Sequence, residues 1–544
     1  MKKLLLGLGL AVLGTVAACN AIVDGDQYHF ASSVVVTPDA GKDAAPAVEC
    51  NLNADCATKG TFQICKKTTH TCVALQSAEC THVAGDYQDD NAVIFGSILP
   101  TLGADKSSGL PLQDALDLAV ADFKRAGGLP PVPGSSASRP LAFVGCDDNS
   151  DSEQAVRVAN HLAKDIGVPA IVGAAFSGIT IAVANGATIQ NDVMLISPSA
   201  TSTEITTLVD KGLVWRTSPS DVFQAKADVA LYPKIENEVK KTLPTPTTPV
   251  KVAIAFKGDA YGSGLANAVS QSLVINGTPA TGTANTPNFQ FKDYGNPDDP
   301  ATDATKYDSV AQEILDATPQ VIFLFGITET VTEMMRRIEN GWPPPSAATP
   351  LPIYVLADGS LIPELPAYIA TAKHPDVRTR IYGTIYGSNS STFSIFRTSY
   401  TAFVTDGSSA DTGGTANAYD ALYNLAFATV AVGGNPITGT SLKDAFSKLV
   451  PGTGATSYTV GKDAITAAYQ TLLAGNAIDY NGASGPLDYD LTTGDAPSDI
   501  QIWCVPLANG APAAGRPSGS TFYRASDNSL QGRLEDISTS CGFK

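Results

Sequence analysis

Three hydroxyl-bearing residues stand where a parallel sheet could bring them together. Ser177 follows the apolar run 170–172 and opens a helical pattern. Ser199 and Thr201 follow the next apolar run, 193–196. Because open α/β sheets bind ligands at the carboxyl ends of their strands, these hydroxyls and nearby backbone N–H groups could hold an anion. They could equally serve only as helix caps, and the residues alone leave both interpretations open.

No group of residues typical of an enzyme accompanies them. Ser177 lacks the preceding glycine of a G-x-S-x-G nucleophile elbow, and no phosphate-binding glycine loop follows a strand. The five histidines are scattered along the chain. The acidic run 488–495 is a poor calcium loop, because its glycine comes one place late and no glutamate closes it. We therefore expect a binding protein that is not an enzyme, with no cofactor and no metal.

Alternating apolar and amphipathic stretches must position these residues. From residue 92 onward, short apolar runs rich in β-branched residues alternate with helical patterns. Such alternation indicates parallel sheets covered by helices on both faces. There are too many units for one sheet, which predicts two α/β lobes. The predicted strands are 93–99, 141–146, 170–172, 193–196, 252–256, 321–325, 353–356 and 381–385, and the predicted helices are 112–126, 152–166, 178–190, 262–274 and 331–340.

The composition excludes several classes of protein. The chain has 544 residues, 44% hydrophobic and 16% charged, which indicates a globular protein with more than one core and excludes a disordered polyelectrolyte. Its 35 basic and 53 acidic residues give a net charge of −18. Because such a chain repels phosphate backbones, we expect no nucleic-acid partner.

The N-terminus has the pattern of an export signal. Two lysines precede the apolar run 4–16, and two alanines then precede Cys19. A cysteine directly after small residues resembles a bacterial lipobox, which implies cleavage before Cys19 and a lipid on its thiol. We expect a signal peptide over 1–18, then a lipid anchor and flexible tether over 19–49, with the protein held on the periplasmic or cell-surface side of a membrane. An ordinary signal peptide with an incidental cysteine is the alternative.

The other cysteines indicate disulfides. Eight remain, an even number, and five of them fall within residues 50–80. A segment this small needs covalent links, so we predict a disulfide-rich module over 50–85. A zinc site is disfavoured because no pair has C-x-x-C spacing. One connectivity joins Cys80 to Cys146 and Cys504 to Cys541, although the sequence leaves other pairings open.

Several segments of the chain carry recognisable motifs. Three are long: 120–151, with KRAGG and DDNSD; 170–216, with IVGAAFSG and LISPSAT, followed by WRTS; and 251–264, with DAYGSG. Three are short: ADG at 357–359, AYDA at 418–421 and GPL at 485–487. Together, across roughly residues 91–490, their order and spacing resemble the bacterial type I periplasmic solute-binding proteins, specifically the Leu/Ile/Val-binding family of ABC transporters.

The resemblance implies a fold and a domain plan. The fold is α/β, with two Rossmann-like parallel-sheet lobes, three hinge crossovers near 217–221, 386–388 and 485–488, and the small disulfide-rich module in front. The implied binding domain is 90–510, with lobe one formed by 91–219 and 388–485 and lobe two by 220–387 and 488–510. Residues 511–544, with Cys541, are expected to form a C-terminal tail.

The resemblance also implies a ligand site. Ser177, Ser199 and Thr201 match family positions that hold the α-carboxylate and part of the α-ammonium of an amino acid. Asp358 matches the acidic residue that binds the ammonium, and Tyr261 matches a tyrosine that lines the pocket from the second lobe. As alternatives, Asp358 could be an ordinary turn residue and Tyr261 an aromatic plug between the lobes.

The chain departs from the family where the ligand side chain would lie. It has Gly-Ile-Thr at 326–328 where the family commonly has a tyrosine, and Gly-Gly-Thr at 413–415 where an aromatic residue often packs on the ligand. Ser107 and Ser108, in a loop that is longer than usual, cannot be placed from the sequence. We therefore expect an α-amino acid or a close carboxylate-bearing analogue, and the sequence does not say which.

The function implied is capture of this small molecule by hinge closure and delivery to the permease of an ABC importer. The alternative is a ligand-sensing or surface interaction lipoprotein that uses the same fold without transport. The cysteine module and the C-terminal tail exceed what simple transport needs, and they could contact a further partner.

Overall fold

A computed structural model describes residues 48–543, except residues 246, 298, 300, 301, 388–390 and 453. The predicted signal peptide, Cys19 and nearly all of the tether lie outside the described residues. Within the described part of the chain, no helix is both long and apolar enough to cross a bilayer. From the strand His82–Gly85 onward the chain forms two lobes, each built on one large sheet. The two-lobed α/β architecture expected from the sequence is confirmed.

The first lobe contains a six-stranded sheet that is parallel except at one edge. Three of its four inner strands are buried along their whole length, which explains the apolar runs in the sequence. In spatial order the strands are His82–Gly85, Leu141–Asp147, Val93–Leu99, Ala170–Gly173, Met194–Ser197 and Val214–Arg216. The α-helices of this lobe are Lys106–Arg125, Ser152–Asn160, Ser177–Val183, Thr203–Thr206, Ser391–Phe403, Thr415–Val432, Gly439–Ala445 and Lys462–Leu473.

The second lobe contains an eight-stranded sheet, with five parallel strands followed by three antiparallel ones. In spatial order the strands are Phe289–Asp293, Val252–Phe256, Val321–Phe325, Ile353–Leu356, Ile381–Tyr386, Ile500–Cys504, Arg516–Arg524 and Ser529–Gln531. The α-helices of this lobe are Asp221–Thr242, Ala260–Ser272, Ala304–Ala317, Arg336–Gly341, Glu364–Ile369 and Leu534–Ser540.

Two long helices were absent from the sequence prediction, each for a physical reason. Asp221–Thr242 contains Pro233, and an interior proline argues against a helix because it removes one backbone hydrogen bond. Thr415–Val432 is buried on nearly every side, so it lacks the periodicity of a surface helix. Both pack into the hydrophobic cores that flank the sheets.

The segment expected as a C-terminal tail is instead part of the second lobe. Arg516–Arg524 and Ser529–Gln531 extend its sheet, and Leu534–Ser540 packs against them. Cys504 and Cys541 form the expected disulfide, which ties the final helix to the sheet. The guanidinium of Arg378 also donates to the carbonyl oxygen of Cys541 at 2.9 Å.

The residues before the first lobe form the expected disulfide-rich module. A 3-10 helix, Asn53–Lys59, and the hairpin Gln63–Lys66 with Thr71–Ala74 are joined by the disulfides Cys50–Cys65 and Cys56–Cys72. Cys50, Cys56 and Cys72 lie close enough to share a metal ion, but their sulfur atoms are already paired in these disulfides. A third disulfide, Cys80–Cys146, links the module to the first sheet.

The chain passes between the lobes three times. It enters the second lobe after Val214–Arg216, returns to the first after Ile381–Tyr386, and crosses again before Ile500–Cys504. The third passage is held by the buried carboxylate of Asp420. This carboxylate accepts hydrogen bonds from the Tyr480 hydroxyl at 2.9 Å and from backbone N–H groups at 2.9 and 2.7 Å, and also from the Ser484 hydroxyl at 2.6 Å.

Asp420→Ala should therefore destabilise the protein strongly. The change leaves buried donors without an acceptor, so we expect the free energy of unfolding in urea to fall by about 3 kcal/mol. Asp444→Ala, at an exposed carboxylate of the same lobe, should change it by less than about 0.5 kcal/mol. Equal effects of the two substitutions would show that Asp420 does not hold the crossing.

Candidate functional site

Four of the five predicted ligand residues line one pocket between the lobes. Ser177 and Ser199 stand on its first-lobe wall, and Tyr261 and Asp358 on its second-lobe wall. This cavity, which we call the cleft pocket, has a volume of about 50 Å³. Its other lining residues are Ser108, Leu112, Ala175, Phe176, Ile327, Gly359, Leu361, Ile362, Tyr386, Thr412 and Gly413.

The first-lobe wall supplies hydrogen-bond donors. Ser177 is the first residue of the helix Ser177–Val183, and no side chain caps that end, so its first N–H groups lack helical acceptors. The Ser177 hydroxyl accepts from the N–H of Ser202 at 3.1 Å and keeps its own proton free to donate. The Ser199 hydroxyl donates to the carbonyl of Ala175 at 2.7 Å. This wall can accommodate an anion at Ser177, whereas Ser199 must rotate before it can donate to a ligand.

Thr201, the fifth predicted residue, lies behind the pocket wall. Its carbonyl accepts the N–H of Asp221 at 2.7 Å, which ties this loop to the start of the helix Asp221–Thr242. Its hydroxyl is buried beside the Asp221 carboxylate and makes no hydrogen bond of good geometry within the described residues. Thr201 therefore reaches the site through Asp221 and does not line the cavity.

The second-lobe wall presents a buried carboxylate. Asp358 follows the strand Ile353–Leu356, and the Tyr261 hydroxyl donates to its Oδ1 at 2.7 Å. Both side chains are buried. Burial raises the pKa of Asp358, and the hydrogen bond from Tyr261 partly opposes that rise. Because no lysine, arginine or histidine lines the cleft pocket, this carboxylate has no cationic partner there.

The lobes also contact each other around the pocket. The hydroxyl of Thr328 donates to Oδ1 of Asp105 at 2.9 Å, joining the second lobe to the first. Ser107, one of the two serines that the sequence could not place, donates to Glu364 of the second lobe at 3.3 Å. The other, Ser108, lines the cleft pocket. The cleft is thus closed by direct contacts between the lobes.

Comparison with known proteins identifies the domain. The family model described as periplasmic binding protein matches residues 92–347. These residues are thus similar to periplasmic binding proteins. The chemotactic signal transduction system substrate-binding protein BasB of Halobacterium salinarum is 28% identical over 214 residues, which are 38% of this chain and 48% of BasB. The chain thus spans about half the length of that curated relative.

Solved structures show the same fold, that of type I periplasmic binding proteins. The branched-chain amino acid transporter substrate-binding protein LivJ of Streptococcus pneumoniae, solved with isoleucine, gives a TM-score of 0.55 at 18% identity over 78% of this chain and 99% of LivJ. A solute-binding protein of an ABC transporter from Rhodopseudomonas palustris, solved with 3,4-dihydroxybenzoic acid, gives 0.52 at 18% identity over 78% and 98%.

Two buried acids of this periplasmic binding domain were not predicted from the sequence. Asp221 and Asp228 lie on the helix Asp221–Thr242, fully buried, and neither carboxylate makes a hydrogen bond of good geometry within the described residues. Burial raises the pKa of Asp221 to about 8 and that of Asp228 well above its usual value, and the charge of Asp358 adds to both. In the sequence, Asp221 after Ser220 has only the pattern of an ordinary helix start.

Asp221→Asn should change how stability depends on pH. The carboxyl titrates near 3.8 in the unfolded chain, whereas its pKa is about 8 in the folded protein. Between these values the folded state keeps a proton that the unfolded state has released, so wild-type stability falls as pH rises, by at most about 1.4 kcal/mol per pH unit. In urea unfolding, the variant should lose less stability than the wild type between about pH 5 and about pH 8.

Asp463→Asn, at a carboxylate that is 95% exposed, is the matched control and should follow the wild-type pH dependence. Parallel curves for Asp221→Asn and the wild type would contradict the raised pKa of Asp221.

Proposed function

We propose that the cleft pocket binds the backbone of an α-amino acid or a close carboxylate-bearing analogue. The observation that carries this proposal is the buried Asp358 carboxylate, which faces a cavity that no cationic side chain lines. A ligand ammonium would supply the missing positive charge through charge-assisted hydrogen bonds. The ligand carboxylate would lie on the opposite wall, against the Ser177 hydroxyl and the N–H groups of its helix.

A ligand held in this way contacts both lobes. Ser177 and Ser199 belong to the first lobe, and Tyr261 and Asp358 to the second, so a bound zwitterion stabilises the closed form by its greater affinity for that form. Closure of the hinge is the whole mechanism, and no bond of the ligand is made or broken.

The role of Asp358 can be tested by comparing ligands with and without an amino group. Asp358→Asn should weaken binding of an α-amino acid by about tenfold or more, because the ammonium loses its counter-charge. It should change the affinity for the matching acid without the amino group much less. Ser177→Ala should weaken both ligands, since both carry the carboxylate. Calorimetry on the purified protein, after a thermal-shift screen of amino acids and hydroxybenzoates, gives these affinities.

Two controls accompany this measurement. Asp444→Asn is at an exposed carboxylate, and Ser270→Ala is at a buried serine whose hydroxyl donates to Asn267 outside the pocket. Both should bind as the wild type does. Equal losses for the amino acid and its deamino analogue in Asp358→Asn would contradict the proposed ammonium site.

We further propose that the protein is anchored outside the cytoplasm by a lipid on Cys19 and delivers its ligand to an ABC importer. The family assignment, the fold shared with transporter binding proteins and the N-terminal sequence pattern support this proposal. Cys19→Ser should move the protein from the membrane fraction to the soluble extracytoplasmic fraction, as measured by immunoblotting. Retention of the variant in the membrane fraction would contradict lipid anchoring.

Ligand sensing is the second candidate function. It is favoured by the similarity to BasB, whose description places that protein in a chemotactic signal transduction system. The disulfide-rich module before the first lobe offers a surface for a further partner. An importer permease and ATPase encoded beside the gene would favour transport, whereas a kinase or a chemotaxis receptor would favour sensing.

A further inference from the structure

A second cavity adjoins the cleft pocket on the side where the chain crosses between the lobes. We call it the side chamber; its volume is about 390 Å³, much larger than the cleft pocket. The two cavities share the lining residues Tyr386, Thr412 and Gly413. The side chain of a ligand bound in the cleft pocket could therefore enter the side chamber, because the two cavities are neighbours.

Gly413 lies at the junction of the two cavities. A Cβ atom at this position would stand 3.9 Å from the carbonyl oxygen of Asp358, from the side chain of Ile385 and from the hydroxyl of Tyr386. A single Cβ would make only ordinary contacts here, but a larger side chain at position 413 would project into the space between the two cavities. The Tyr386 hydroxyl is buried at the same junction, and it has no hydrogen-bond partner within the described residues.

The chamber carries a net positive charge, unlike the cleft pocket. Arg397 and Asp411 form an ion pair at 2.9 Å on its wall. Arg516 adds a second guanidinium near Asp411, and it makes no ion pair within the part of the chain that the structure describes. The side-chain amide of Gln501 also faces the chamber, and its buried oxygen has no hydrogen-bond partner there. The chamber therefore offers one uncompensated cation in a protein whose net charge is −18.

We propose that the side chamber receives the far end of the ligand's side chain and that this end is an anionic group. The class of ligand is an α-amino acid whose side chain ends in a carboxylate, a sulfonate or a phosphonate. Its ammonium lies at Asp358, its side chain passes Gly413, and its terminal anion meets Arg516. A guanidinium presents donors in a fork that matches such planar or tetrahedral anions. This inference rests on the amino-acid site proposed above and extends it.

Arg516 is tested with pairs of ligands that differ only in terminal charge. Calorimetry on the full chain measures the affinity for glutamate and for glutamine. It also measures the affinities for 2-aminoadipate and for a phosphonate amino acid, each against a neutral amino acid of similar length. In the wild type the acidic member should bind about tenfold more tightly or better. Arg516→Gln should remove that preference and leave the neutral member unchanged. Arg524→Gln, on the same strand but paired with Asp527 outside the chamber, should keep it.

The passage is tested separately at Gly413. Gly413→Val places methyl groups between Asp358 and Tyr386, so long acidic amino acids should lose affinity by about tenfold or more while alanine binds as before. Gly413→Ala should have a smaller effect, because a single Cβ at 3.9 Å is an ordinary contact. Thermal unfolding of each variant shows whether it is folded.

The outcomes separate this inference from the function on which it rests. If amino acids bind in an Asp358-dependent way, but acidic and neutral partners bind alike and Arg516→Gln changes neither, the side chamber is a solvent space and the inference is overturned. If no amino acid binds the wild type, the proposed function fails, and the inference fails with it. Loss of acidic ligands alone in both Arg516→Gln and Gly413→Val supports the anionic side-chain site.

Discussion

The proposed ligand site depends on one costly feature, the buried carboxylate of Asp358 in a pocket that no cationic side chain lines within the described part of the chain. Burying a charge in a protein is unfavourable unless it is paired. Burial therefore raises the pKa of Asp358, and hydrogen bonds, among them the one from the Tyr261 hydroxyl, partly oppose that rise. The strand before it, Ile353–Leu356, is central in its sheet and keeps the carboxyl in place. In the proposed function, the ammonium of a ligand would offset this cost, so the buried carboxylate would favour closure around an amino acid.

Much of the fold could be predicted because buried parallel strands produce a clear pattern in the sequence. Runs such as 170–172 and 321–325 are apolar throughout since both faces of the sheet are covered. Once strands are located, residues just after them must meet at one edge, which is how Ser177 was found. Asp358 was identified instead from the resemblance to the solute-binding family. The helices Asp221–Thr242 and Thr415–Val432 were missed. The first contains an interior proline, and the second has no polar face, so neither shows the clear pattern of a surface helix.

Other features could not be read from the sequence because they depend on burial between distant segments. Asp221 has the pattern of an exposed helix start, yet the loop containing Thr201 packs over it and excludes water. The same contact keeps Thr201 away from the cavity, although its spacing after the strand is right. Residues 511–544 look like a polar tail, and they become strands because the sheet edge at Ile500–Cys504 and the disulfide to Cys541 hold them there.

The protonation of Asp358 connects these buried acids to the choice of ligand. Burial holds Asp221 and Asp228 largely protonated near neutral pH, so they add little negative charge, and burial likewise favours a proton on Asp358. An ammonium displaces that proton because it stabilises the ionised carboxylate. The proposed amino-acid ligand would therefore need Asp358 ionised, whereas burial alone favours its protonated form.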